Sequence, residues 1–509
     1  MDYRIKGNEA VKRGDYLTAY YEYNKGLVKS PKDPTLWCNR AYVFLKLGYP
    51  ELTLMDTKRV SNILAETNPS SFSNTHQILG FKAAYRQGEA YTQLKLYKLA
   101  INKFNGLLMS LSMNLLNEDV QVDRVSLETK RDFCVDQDKK LSKEFKNYQK
   151  FGGDAGEFRF NVGYMWDTRP ESRGTEATRQ ALQKSAKSIS LKELKLDRID
   201  FQESQYKSSS SGNNGHQYNN NGDGKKNIER SQIQLGVFSG SFIEAGEVIF
   251  QEDSFLCVHN HFTPRCDYCN RPLQSGQIVP CDNYLCQEIF CSTQCYSLAL
   301  AKYHRQLCGK EIGNILEGTQ KGMSNSSLAY LLVLKVFAVA KTRSVHPLDI
   351  PEMTHLVRYQ LPSELGLSFN ANWTQIYQET LDILGISVYD DLRYDFWVYV
   401  TCLTTLGCNI FGGKDDHGRP DTASLFPQLA TFLNHSCDPN VEHGNVTVDS
   451  RFWSRHVFRA RKCIQEYEQI FISYVDMNFC KEDRMTNLSY YGFKCNCEKC
   501  KELTFGTCI

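Results

Sequence analysis

Two stretches of this chain bring together residue types that do chemistry. The heptapeptide Asn434-His435-Ser436-Cys437-Asp438-Pro439-Asn440 is followed by Tyr474 and then by Cys495-x-Cys497-x2-Cys500. Carboxamide, imidazole and thiol in one short turn, with a later thiol triplet, read both as a metal site and as a cofactor-holding turn. The plain alternative is a polar turn, Cys-Asp-Pro-Asn, and an unrelated thiol-rich tail. Upstream, Cys266-x2-Cys269, Cys281-x4-Cys286, Cys291-x3-Cys295 and His304-x3-Cys308 place eight soft ligands in a stretch too short for a large core. Eight such ligands suffice for two tetrahedral zinc sites. A lone CxxC would be read as redox-active or incidental, whereas eight ligands in order argue for metal.

The elements that must carry these side chains are legible in outline. Gly14 and Gly48 stand one 34-residue period apart, each opening a turn, and Leu47-Gly48-Tyr49 answers Arg13-Gly14-Asp15-Tyr16. In the first copy Gly7, Ala10, Gly14, Tyr16, Ala19, Tyr23 and Pro31 fall where the tetratricopeptide pattern wants small, small, turn, aromatic, small, aromatic and stop. A third copy carries Gly88, Tyr91, Tyr97, Ala100 and Phe104, displaced by an insertion of 13 residues that includes Asn68-Pro69-Ser70-Ser71. Three such helix pairs are about the minimum that can bury their shared faces. A generic helical bundle is the alternative. Residues from about 120 to 205 read as charged helical material, and Ser208 to Gly215, extended by Asn219 to Gly224, reads as a flexible linker or surface loop. From Ile233 onward, Gly236-Val-Phe and Ile243 to Phe250 read as short strands around glycines.

Bulk composition narrows the function class. The chain has 509 residues, 41% hydrophobic and 23% charged, with 19 cysteines and a formal net charge of +2. At roughly 150 residues per domain, about three domains are expected. The near-neutral charge gives no electrostatic case for nucleic acid as the main partner. The opening Met-Asp-Tyr-Arg-Ile-Lys-Gly-Asn carries charges where an export signal needs an apolar stretch, and Lys335 interrupts the best apolar run, Leu328 to Ala340. The expectation is a soluble protein of cytoplasm and nucleus, not of the membrane, whose cysteines stay reduced and serve metal or packing.

The 434–440 motif, Tyr474 and the Cys495-x-Cys497-x2-Cys500 tail resemble the active site of SET-domain lysine methyltransferases. The cysteine and histidine order from Cys266 to Cys308 resembles a MYND finger, with four residues between Cys281 and Cys286 where that family usually has two. A SET domain interrupted by a MYND finger is the SMYD arrangement, and the match covers residues 233 to 500. The resemblance implies an α+β multidomain protein: an all-α tetratricopeptide array at 1–120, a helical segment and flexible linker at 121–232, the first part of a β-rich SET domain at 233–262, the finger at 266–308, a helical insert at 310–400, the SET core at 401–476 and a zinc-binding tail at 477–509. It implies three zinc ions. Cys266, Cys269, Cys291 and Cys295 would hold one, Cys281, Cys286, His304 and Cys308 another, and Cys437, Cys495, Cys497 and Cys500 the third. It implies S-adenosylmethionine held by Gly236, Asn434, His435, Tyr474 and Phe493, with the Tyr474 hydroxyl bordering the transfer centre and Tyr491 in the wall of the lysine channel. The substrate would be a lysine of a histone or non-histone protein, and a proline-rich peptide would suit the finger.

Two departures bear on the cofactor. SET domains usually open on Gly-x-Gly, and here Ile233-Gln234-Leu235-Gly236 keeps only the second glycine. The usual Gly-Glu-Glu-Leu turn is Tyr467-Glu468-Gln469-Ile470, and the expectation places the cost at Leu235 and Tyr467. The repeats add a third set. Arg4 and Asn8 are four apart, as are Lys82 and Arg86, with Asn39 on the corresponding helix between them, and positions four apart share a helix face. The set resembles the carboxylate clamp by which tetratricopeptide co-chaperones grip the C-terminal peptide of heat-shock chaperones, with Arg4 in place of the usual lysine. A solvated basic face is the alternative. A non-catalytic adaptor joining such chaperones to peptides of the finger is the second function expected.

Overall fold

The computed structural model describes residues 2–67, 73–112, 124–148, 159–160, 163–167, 192–199, 234–261, 263–274, 278–313, 325–358, 367–368, 372–414, 420–445, 455–489 and 495–502, with single positions 169, 180, 183, 184, 190, 315, 491 and 493. The Ser208–Gly224 stretch and the 68–71 insertion lie outside the described residues.

Six helices pair in sequence: α1 Tyr3–Lys12, α2 Tyr16–Lys29, α3 Pro34–Leu47, α4 Pro50–Glu66, α5 Asn74–Gln93 and α6 Tyr97–Ser112. Asp2, Asp15 and Asp33 cap the first three by accepting a first-turn backbone N–H, which satisfies a donor the helix leaves open. Gly14 (φ 76°) and Gly48 (φ 82°) turn the chain in the left-handed region, and Lys95 (φ 57°) takes that position in the third pair. The small-aromatic pattern has a steric cause. A Cβ on Gly7 would enter the Tyr23 ring, and one on Gly88 would come within 2.6 Å of Phe104 Cε1. At the corresponding positions of the middle pair stand Ala41 and Thr57, both buried. A seventh helix, α7 Arg124–Tyr148, packs on α6.

The repeats are docked on the helix Phe396–Asn409 by charge and aromatic contact. Arg40 of α3 chelates Asp56 of α4 through Nε and Nη2, both at 2.8 Å, and reaches Asp395 at 2.9 Å. Arg59 bonds the same two carboxylates at 2.8 Å. Asp395 also caps the helix it precedes. All four side chains are buried, and two cations against two anions leave no net charge. Beside them Trp166 stacks on Tyr20 at 4.1 Å and meets Trp397 edge-on at 6.1 Å, so residues 163–167 fill the seam.

Glu51 sits in this seam with the Tyr164 hydroxyl donating to Oε1 at 3.3 Å and Oε2 unpartnered. Burial pushes its carboxyl up to about 8 from an ordinary 4.5, so the folded protein holds a proton there that the unfolded chain releases. That contribution is fully present below pH 4.5, is lost as pH rises, and is gone above about 8. Glu51→Gln is therefore expected to gain at least about 1.4 kcal/mol on wild type between pH 5 and pH 8.5, the worth of one pKa unit. Urea midpoints that shift in parallel for the two proteins would contradict this.

The β-rich part is built from short antiparallel sheets. Strand β1 Arg159–Phe160 pairs with Leu367–Ser368. Strand β2 Leu194–Ile199 pairs antiparallel with β3 Gln234–Ser239, from Leu194 opposite Ser239 to Ile199 opposite Gln234. A strand here departs from the helical expectation for 120–205, which holds over α7 Arg124–Tyr148. Leu194 and Leu196 alternate into the core while Lys195 and Asp197 face out, a period of two whose charged members read as helix surface. The expected linker thus connects two hydrogen-bonded neighbours in one sheet. Strand β4 Val248–Asp253 pairs with Arg455–Ala460, which pairs with Val441–Asn445, and Phe250 stacks on Phe458 at 4.2 Å in the core between them. Strand β5 Leu256–His259 pairs with Pro420–Leu425, and that strand with Ile410–Lys414. The helical insert runs past 400, to Asn409. Its central helix Asn325–Arg343 carries the apolar run, and Lys335 is buried there against Asp267 at 2.6 Å and the carbonyl of Cys257 at 3.0 Å. No helix among the described residues is long and apolar enough to cross a membrane.

Candidate active site and metal centres

Asn434–His435 forms a two-residue strand parallel to Phe471–Ile472, and Ser436 N–H continues the ladder to the Ile472 carbonyl at 2.9 Å. Asn440, quoted in the sequence motif without a role, locks this junction. Its Nδ2 donates to the Gln469 carbonyl at 2.8 Å and its Oδ1 accepts Phe471 N–H at 2.8 Å, so the turn and the strand ending in Tyr474 move as one. From the other side buried Glu252 of β4 accepts the backbone N–H groups of Gln428, Leu429 and Ala430 at 2.6, 3.0 and 2.9 Å, fixing the approach to Asn434.

The five expected cofactor residues are brought together. Asn434 Nδ2 donates to the Leu235 carbonyl at 3.1 Å, which sets it beside Gly236. His435 Nδ1 accepts Tyr474 N–H at 3.0 Å, and its Nε2 lies 3.2 Å from Cys437 Sγ. Both ring nitrogens are thus engaged internally, and burial lowers the imidazole to about 4, so it is neutral near pH 7. The ring holds Tyr474 and the thiol in place. The Tyr474 hydroxyl donates to the Leu433 carbonyl at 2.7 Å. The rings of Tyr474 and Tyr491 are 5.1 Å apart, and Phe493 lies 5.9 Å from His435, giving one aromatic wall.

The two departures separate. Leu235 and Val237 point into the core, so by strand alternation Gly236 presents its bare backbone on the opposite face. Leu235 is core, so the cost expected at its side chain does not fall on the face that Gly236 presents. Tyr467 does occupy the left-handed region, at φ 63°, where glycine is favoured. Its N–H reaches Ser239 O at 2.9 Å, Glu468 O accepts Ser239 N–H at 2.9 Å, and Lys195 Nζ lies 4.1 Å from its ring centre. The turn is kept against the strain by these contacts.

Twelve expected metal ligands fall into three sets, and within each the ligand atoms lie within 4.8 Å of one another: Cys266, Cys269, Cys291 and Cys295; Cys281, Cys286, His304 and Cys308; Cys437, Cys495, Cys497 and Cys500. Sγ–Sγ distances of 3.7 Å for Cys269–Cys291, 3.5 Å for Cys281–Cys308 and 3.4 Å for Cys437–Cys500 match the edges of a tetrahedron about one ion. Buried thiols this close, with no disulfide among them, fit zinc by donor type and spacing. Arg484, which the sequence reading missed, adds a buried cation beside Cys437 and Cys500. It sits on the helix Lys481–Ser489 just ahead of the tail, a position with no local motif to mark it. The other described thiols are not all buried. Cys38, Cys134, Cys257 and Cys402 are, but Cys463 is exposed and Cys408 and Cys480 are half-buried.

The groove residues divide. Asn39 Nδ2 and the Tyr23 hydroxyl both donate to Asn8 Oδ1, at 3.0 and 2.8 Å, and Arg86 donates to the Cys38 carbonyl next to Asn39. Asn8, Asn39 and Arg86 therefore converge on adjacent helices. Lys82 is exposed one turn before Arg86, and Arg4 is turned to Asp2 at 3.8 Å.

Comparison with known proteins agrees with this geometry. The SET domain family matches residues 234–475. The histone-lysine N-methyltransferase SET5 of Yarrowia lipolytica is 25% identical over 52% of this chain and 61% of its own length. The N-lysine methyltransferase SMYD2-B of Danio rerio is 34% identical over 23% of this chain and 26% of its own. Tetratricopeptide repeat protein 12 of Mus musculus is 31% identical over 25% of this chain and 17% of its own. The chain thus spans about three fifths of the first of these relatives and a quarter or less of the other two. Residues 234–475 are thus a SET domain, and over parts of its length the chain is similar to SMYD-type lysine methyltransferases and to a tetratricopeptide repeat protein.

Proposed function

We propose that the protein transfers a methyl group to a lysine side chain of another protein, histone or non-histone. One observation carries the reading: the Asn434–His435 strand, the Tyr474 hydroxyl and the Tyr491 and Phe493 rings meet beside a four-thiol centre. Bound S-adenosylmethionine would supply an electrophilic methyl on sulfonium. Asn434, the His435 backbone and the bare face at Gly236 would hold it, with Phe493 against its aromatic end. The chain's own part is alignment, since bringing an amine and a methyl to near-attack distance is worth up to about 7–11 kcal/mol. Tyr474 and Tyr491 would strip water from the incoming ammonium, which favours its neutral, nucleophilic form. The cysteine-rich module at 266–308 reads as a MYND finger splitting the domain, with zinc in all three Cys/His sets. Tyr474→Phe removes the bond to Leu433 and the hydroxyl at the transfer centre, so kcat is expected to fall at least about tenfold with cofactor affinity held within about threefold. Steady-state methyl transfer and cofactor titration on both proteins check this. A fully active variant removes Tyr474 from its role.

The convergence of Asn8, Asn39 and Arg86 favours a second, compatible activity, in which the repeats bind a peptide ending in a free carboxylate, such as a heat-shock chaperone tail. Binding would free Arg86 from Cys38 and recruit Lys82. Charge-assisted bonds to a carboxylate are strong, so amidating the peptide terminus is expected to weaken binding at least about tenfold. Equal fluorescence anisotropy curves for amidated and free peptides would exclude the clamp, along with the adaptor reading built on it.

A further inference from the structure

At the C-terminal end of β5, where the SET strands meet the cysteine-rich module, lies a fourth group of potential ligands that the twelve do not use. His259, His261 and Glu288 bring one ligand atom each to within 4.8 Å of the others. They line a cavity of about 30 Å³ together with Asp267, His304 and Lys335. His259 is 4% exposed and its Nε2 has no partner. His304 Nδ1, on the side of that ring away from the thiols, is also unpartnered on the same cavity. Two orphaned ring nitrogens against one carboxylate are an unusual thing to bury, because each costs free energy unless something fills the space.

We infer that His259, His261 and Glu288 bind a divalent transition-metal ion of the zinc class, with water completing its coordination. Two imidazoles and one carboxylate with an open position is a recurrent set for such ions. Ligands about 2.1 Å from one tetrahedral ion stand about 3.4 Å apart, so ligand atoms that now lie within 4.8 Å of one another need close by no more than about 1.4 Å. The cavity exceeds the roughly 10–15 Å³ that one water needs. His261 is exposed, which gives the ion a path in. The local charge permits it: Lys335 is already neutralised by Asp267 at 2.6 Å, leaving Glu288 as the anion for the ion, while Lys310 on the lining tempers affinity. Proton balance is simple. His261 N–H now donates to His259 Nδ1 at 3.2 Å, which places the ring proton on Nε2. Metal at Nε2 moves that proton to Nδ1, and the His261 amide turns to solvent. The site would tie β5 to the cysteine-rich module, and being held by nitrogen and oxygen it would exchange faster than the thiolate centres.

The test is independent of methyl transfer. Full-length protein with its thiolate sites filled is titrated with Zn²⁺, and separately rebuilt with Co²⁺, for wild type, Glu288→Gln and His261→Ala. Wild type is expected to take one further equivalent that a mild chelator removes, and with cobalt that equivalent adds weak ligand-field absorption without thiolate charge transfer. Each variant keeps its thiolate-bound metal, which shows that it is folded, and binds the further equivalent at least about tenfold more weakly, since loss of a ligand costs no less than loss of its outer-shell support. Wild type that stops at the thiolate equivalents overturns the assignment, as does a further equivalent equally tight in both variants.

Discussion

Stripping the protein of metal will unfold the 266–308 module and release the 495–502 tail from the Asn434 turn. The described core of that module is small, and most of its buried side chains are the ligands themselves or residues packed on them, such as Phe290 and Tyr303. Structural zinc supplies on the order of 10–16 kcal/mol of apparent binding energy, more than the stability of most domains. Loss at the third centre reaches the active site directly, because Cys437 lies two residues from His435 and 3.2 Å from its ring. Metal analysis should return three thiolate-held zinc ions per chain, and chelation should abolish cofactor binding along with near-ultraviolet circular dichroism. Two or fewer ions in fully reduced protein would contradict the assignment.

Removing Asp395 should be nearly as damaging. Asp395→Ala leaves Arg40 and Arg59 sharing one carboxylate in a buried seam, and breaking a buried pair costs about 3–5 kcal/mol because the surviving charge is uncompensated. The cap of the helix Phe396–Asn409 goes with it, worth about another 1 kcal/mol. Limited proteolysis should then cut between the repeats and the insert helices, and the denaturation profile should split into two transitions. A single transition within about 1 kcal/mol of wild type would show that the network does not hold the two parts together.

What the sequence made legible was local. Cysteine spacing exposes a ligand set because thiols that share an ion must come close in number and order, and the repeats show because Gly7 and Tyr23, or Gly88 and Phe104, are complementary shapes at a fixed period. Contacts between distant segments left no mark. Asp395 lies 355 residues from Arg40 and reads as an ordinary helix cap. Lys335 reads as an interruption of an apolar run, and its partner Asp267 is hidden among the cysteines. Strand β2 is hard to read because its charged alternate residues look like a helix surface, and its pairing with β3 is set only by the fold. At the site one direction was not legible: only the pleat tells that Leu235 faces the core while Gly236 lies on the other face. The His259-x-His261 pair was readable, but Glu288 joins it only through the fold.

The central claim stands or falls on cofactor binding, and calorimetric titration of S-adenosylmethionine into fully zinc-loaded protein measures it. Saturable 1:1 binding is expected at micromolar to sub-millimolar concentration, about 5–8 kcal/mol of affinity, weakened at least about tenfold by His435→Ala through loss of the contacts to Tyr474 and Cys437. No heat and no competition at millimolar cofactor, with all three thiolate sites filled, would mean that the lost first glycine and the strained turn at Tyr467 have closed the site, and the protein would then be a non-catalytic adaptor.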